Sequence, residues 1–145
     1  EFLALKLKEL TPDHQAKWGK MTPQHMLEHL EFSFKIATGK IQDFEIATPE
    51  ENIETVQETL YNYEKMPRNY NHPLLKDNDL EPLQYESLEE AKDALLKAYD
   101  EFVVFFRENP DAVTKNAVFG ELGRFEWKLM NRKHINHHFE QFGLI

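Results

Sequence analysis

A chain of 145 residues, 41% hydrophobic and 30% charged, is long enough for one domain, 1–145, with a packed apolar core. Its net charge of −9 opposes a phosphate backbone, which argues against nucleic acid as a partner. The absence of cysteine excludes a disulfide framework and a protein thiol nucleophile, so any metal must be held by nitrogen and oxygen.

With only 5 glycines and 7 prolines, long regular elements are expected rather than a loop-rich sandwich. No apolar run reaches the length of a membrane span and no signal peptide is visible, so no membrane partner is expected and the cytoplasm is the expected location. The chain opens Glu1-Phe2-Leu3 without an initiator methionine, as a piece of a longer polypeptide or a trimmed chain would.

Leu3, Leu5, Leu7 and Leu10 alternate with charged residues, but lysine and glutamate favour a short first helix, ended at Thr11-Pro12. Thr22-Pro23 is a helix start, a hydroxyl cap followed by proline at the first helical position. The helix is predicted over 22–38, with Gly39 as C-terminal cap and an apolar stripe of Met26, Leu27, Leu30, Phe34 and Ala37. His29, Ser33 and Ile36 fall at one edge of that stripe. Residues 40–50 read as a loop, and 52–65 as a weakly amphipathic helix.

The proline- and asparagine-rich stretch 66–85 should be an irregular connection, and long loops inside compact domains often carry function. Ser87-Leu-Glu-Glu90 is a capping box opening a helix to about 108. Its buried face is expected to be Leu88, Ala91, Leu95, Ala98, Tyr99, Phe102, Val103 and Phe106, and Asn109-Pro110 stops it. The run 116–123 is an apolar, glycine-containing turn. The last helix is predicted over 124–142, with Trp127, Met130, His134, His138 and Gln141 on one stripe. Four main helices and no convincing strand favour an all-α, up-and-down four-helix bundle, whose sites are built from side chains pointing between helices.

The 7 histidines are the chemically informative residues. His134 and His138 are four apart and share a helix face. His29 on another helix can complete a set of three neutral imidazoles, a first-row metal site with open coordination positions. His137 also shares a face with His134 at i, i+3; His138 is preferred because it continues the Trp127–Met130–His134 stripe, about 100° from His137 around the helix. His25 is expected to face solvent, and His14 and His72 fall in loops. Glu140 and Gln141 are candidates to orient a ring nitrogen. Glu28 and Glu126 suit acid–base work only if buried beside the metal, and otherwise are solvated helix charges. Trp127, Met130 and Phe119 would wall a core or a pocket.

Trp18-Gly-Lys-Met-Thr-Pro-Gln-His25-Met-Leu-Glu-His29-Leu30 resembles the N-terminal signature of one uncharacterised branch of the DinB-like superfamily. Phe119-Gly120, Glu126-Trp127 and His134-Ile-Asn-His137-His138-Phe-Glu-Gln141-Phe-Gly143 resemble its C-terminal signature. The resemblance covers both ends of the chain, and the middle matches in helical character alone. It implies a four-helix bundle with one long crossover. It also implies a divalent metal, nickel or zinc, held by His29, His134 and His138. Characterised relatives include thiol-dependent S-transferases and a maleylpyruvate isomerase, in which the metal is thought to activate a low-molecular-weight thiol or a water. Where this branch often has His-Pro ahead of its Phe-Gly turn, this chain has Asn116 and Ala117.

The expected function is therefore a metal-dependent transferase, isomerase or hydrolase acting on a small molecule. If the thiol is anionic, Lys20, Arg124, Arg132 and Lys133 are candidates for a basic lining. Relatives often pair, so a homodimer is expected. The alternative is a non-catalytic dimerisation or accessory domain, attached to an aromatic catabolic enzyme of the phenylacetate type.

Overall fold

The computed structural model describes residues 1–68, 70, 72–74 and 80–145. Among the described residues it is mostly helical, with five helices and one small hairpin: α1 (Phe2–Glu9), α2 (Pro23–Ala37), α3 (Glu50–Glu58), α4 (Leu88–Glu108), β1 (Thr114–Asn116), β2 (Gly120–Leu122) and α5 (Arg124–Gln141). No described helix is long and apolar enough to cross a membrane.

Local chemistry sets most helix ends. Thr22 caps α2 by accepting from the His25 amide, and the His25 ring turns back to the Thr22 hydroxyl, with Nδ1 and Oγ1 2.6 Å apart. Histidine thus occupies the position that glutamate usually fills in a capping box. At the other end, the Gly39 amide donates to Ile36 O and the Lys40 amide to Lys35 O, a Schellman ending. Ser87 caps α4 through the Glu90 amide, while Glu90 reaches the Glu86 amide, one residue further back than a capping box requires.

Packing centres on α2, whose principal partner is α4 and which also meets α5 and β1. Met26, Leu27, Leu30 and Phe34 from α2 join Leu95, Phe102 and Phe106 from α4 and Trp127, Met130 and Phe139 from α5 in one apolar cluster. Leu3, Leu7 and Leu10 bring the first segment into it, whereas Leu5 is exposed. The long connection between α3 and α4 is tied to α2 at its far end: the Glu28 carboxylate accepts the Gln84 and Tyr85 amides, and Tyr85 Oη donates to the buried Glu31 at 2.8 Å.

Several expectations need correction. The chain is not strand-free: β1 and β2 pair antiparallel, Asn116 opposite Gly120, so the turn expected over 116–123 contains a strand and a hairpin loop. The buried Asn116 side chain builds that loop, its Oδ1 accepting the Val118 and Phe119 amides at 2.8 and 2.9 Å, and Gly120 takes the positive φ of 75° that closes it. The α3 helix spans Glu50–Glu58, not 52–65, because Lys133 Nζ draws Thr59 O, Asn62 Oδ1 and Glu64 O around itself and the chain turns there. Val103 lies off the buried stripe of α4 and is 43% exposed. Asn116→Ala is expected to cost about 1–3 kcal/mol, because it strands two loop amides; an unchanged urea midpoint would contradict this role.

Candidate metal centre

Helix α2 supplies His29 and helix α5 supplies His134 and His138, and their packing brings the three rings together. The ring centroids are 4.8 to 5.0 Å apart. One nitrogen from each ring lies within 4.8 Å of the others. His134 Nε2 is 2.9 Å from His29 Nε2 and 3.1 Å from His138 Nε2.

Protons alone do not satisfy this arrangement. Gln141 Nε2 donates to Trp18 O at 2.8 Å, which turns Gln141 Oε1 toward His138 Nδ1 at 2.7 Å. His138 therefore carries its proton on Nδ1 and presents a lone pair at Nε2. With all three rings neutral, His134 Nε2 can be hydrogen-bonded to one of its two neighbouring nitrogens, and the other close approach is repulsive. A cation removes the conflict. Two nitrogens bound at about 2.0–2.1 Å to one ion, at octahedral or tetrahedral angles, lie about 2.9–3.4 Å apart, which matches the two separations from His134 Nε2, while the three donors as a set lie within 4.8 Å. His134 Nδ1 is buried without a hydrogen-bond partner among the described residues.

The electrostatics keep the donors in their ligating form. Burial, and then the neighbouring imidazoles, lower His29 and His134 well below the usual histidine range. Burial takes His138 down to about 4, against a smaller opposing effect of the Gln141 hydrogen bond. Neutral imidazoles at pH 7 are what a metal requires. His138 is 6% exposed, and His29 and His134 are half-buried.

These lowered values give a sign for stability. In the unfolded chain the three rings take up protons at about 6.5, and in the folded chain only at lower pH. Their contribution is therefore complete above pH 6.5 and is lost as pH falls from there toward 4. The His138 shift from 6.5 to about 4 is worth on the order of 3 kcal/mol. The melting midpoint of chelator-treated protein should fall steeply between pH 6.5 and 4.5, and a flat profile there would contradict the burial of these rings.

The other sequence candidates sort differently. His137 is not among the three converging donors: its ring lies edge-on to His138 with centroids 5.0 Å apart and edge-on to Trp18 at 5.4 Å. His25 caps α2 and makes no pair with His29, and His14 bonds Thr11. Glu28 is used up by the amides of the connection, and Glu126 accepts from Tyr61 at 2.8 Å. Glu140 pairs with Lys65 at 2.9 Å. Gln141 does orient a ring nitrogen, and Gln141→Leu should weaken metal affinity roughly ten- to a hundredfold by titration; an unchanged affinity would remove that role.

Trp127 and Met130 belong to the buried core, and Phe119 packs at its edge. Lys133 is consumed in shaping the end of α3, and Lys20, Arg124 and Arg132 are exposed. Asn116 holds the hairpin loop, which accounts for that residue without any substrate role.

Two further residues come near these rings, His72, which the sequence offers only as a loop histidine, and Arg68, which it does not mark. His72 lies edge-on to His29, with centroids 6.4 Å apart, and Arg68 lies 3.9 Å over the Trp18 ring. Both come from the irregular connection, where no periodicity marks a position.

Fold and site together define a mostly helical chain with three clustered histidines that could bind a metal ion. No protein-family model, no curated protein and no solved structure matches the chain.

Proposed function

We propose that the chain is a divalent-metal-dependent enzyme of the DinB-like type, a four-helix bundle with a long crossover, in which His29, His134 and His138 hold nickel or zinc. The observation that carries this reading is the convergence of three histidines, with His134 Nε2 at 2.9 Å from His29 Nε2 and 3.1 Å from His138 Nε2 and the donor set within 4.8 Å. When bound, such an ion supplies Lewis-acid activation of a thiol or a water near neutral pH.

The chain's own residues do the rest. Gln141 fixes the tautomer of His138, and burial keeps the imidazoles unprotonated. The substrate is a small electrophile, and the co-reactant is a low-molecular-weight thiol in transfer or isomerisation, or water in hydrolysis. With no cysteine of its own, the chain depends on an outside thiol, which fits the reducing cytoplasm.

The experiment is a screen of tag-free protein with low-molecular-weight thiols against chlorinated and epoxide electrophiles. Product formation should require added nickel or zinc and vanish in His138→Ala. Turnover indifferent to chelator would sink the reading.

A second reading, a dimerisation or accessory domain of an aromatic catabolic enzyme, draws on the exposed Tyr61, Tyr63 and Phe125. It expects a homodimer, or a complex with such an enzyme, and no metal-dependent turnover.

A further inference from the structure

His72 is not one of the clustered ligands, yet it stands beside them. Its ring is edge-on to His29 at a centroid distance of 6.4 Å, and it is half-buried. The Leu74 amide donates to His72 Nδ1 at 3.2 Å. That bond fixes the tautomer: with Nδ1 accepting, the neutral ring carries its proton on Nε2. A ring that presents N–H is a donor and not a ligand, in contrast to His138, whose Nε2 presents a lone pair.

The rim nearby has the same sense. Arg68 is stacked on Trp18, whose ring meets His137, and Glu140 on this rim is already paired with Lys65. In a chain with a net charge of −9, an N–H donor thus stands beside His29, and a guanidinium lies further out, over the Trp18 ring that meets His137.

We propose that His72 is a binding residue, which donates Nε2–H to a small anionic ligand held beside the His29–His134–His138 cluster, next to His29. This rests on the metal-centre reading above and adds to it the charge class of what binds there. A thiolate or carboxylate would serve, because each has a lone pair for the cation and another for the donor. Arg68 adds favourable potential over a longer distance.

The test uses tag-free protein loaded with cobalt(II), with azide as the probe and the cobalt visible absorption as the readout. His72→Phe should leave cobalt affinity unchanged and weaken azide binding about tenfold or more, the worth of one hydrogen bond to a charged group. His72→Gln, which keeps an N–H donor, should restore most of the azide affinity. Far-UV circular dichroism checks that both variants keep their helices.

Azide binding indifferent to His72→Phe would overturn the proposal and leave the metal centre standing. Loss of cobalt affinity in His72→Phe, with a changed cobalt spectrum, would overturn it in favour of His72 as a fourth ligand. Failure of the unmodified protein to bind cobalt would overturn the metal reading itself, and this proposal with it.

Discussion

His134→Ala should lower the affinity for zinc or nickel by roughly a thousandfold while the helical spectrum survives. His134 is the ring on which the cluster turns, with its Nε2 close to both of the other ligating nitrogens. Without it, His29 and His138 remain as a pair from two helices. They keep neutral, metal-ready rings but lose the donor between them, and a site of three nitrogens has little to spare. The fold should tolerate the change, because His134 Nδ1 has no hydrogen-bond partner among the described residues and its Nε2 meets only the other two rings of the cluster. Calorimetric titration measures the affinity, and quenching of tryptophan fluorescence by nickel gives a second readout. A loss of less than tenfold would remove His134 from the ligand set.

Trp127→Ala should unfold the protein far more readily, costing about 3–5 kcal/mol and lowering the melting midpoint by roughly 10 °C. Trp127 is among the largest fully buried side chains, at 0% exposure, two helical turns before His134 on the same face of α5. Truncation leaves a cavity that neighbouring helices fill only in part. Against a total stability of about 5–15 kcal/mol, that is a large share. Metal affinity should fall as well, because α5 carries two of the three ligands. Trp127→Phe, with a smaller cavity, should lose much less. A midpoint within about 2 °C of the unmodified protein would contradict the packing described.

The parts of the structure that were legible beforehand are those written in local chemistry. Thr22-Pro23 and Ser87 mark helix starts and Gly39 a helix end because caps act within a few residues. The His134/His138 pair is visible because one helix fixes their spacing. That His29 should join them depends on how α2 packs against α5; helical spacing offers it only as one histidine on a second amphipathic helix of a cysteine-free chain. The hairpin was missed for a related reason. Its strands are three residues long, and it is held by distant groups: the Ala47 amide on Ala117 O, Thr48 Oγ1 on Val118 O, and Gln57 Nε2 on Phe119 O. His72 had no helical period to mark it, and its place beside His29 is a product of the tertiary path alone.

The most direct test of the metal centre is zinc titration of tag-free, chelator-stripped protein, read as bound metal per chain. One tightly held ion per chain is expected, falling to none in His29→Ala and in His138→Ala while both keep their helical spectra. A chain that takes up no zinc, or variants that hold it as tightly as before, would mean that the three imidazoles meet for some reason other than a shared cation.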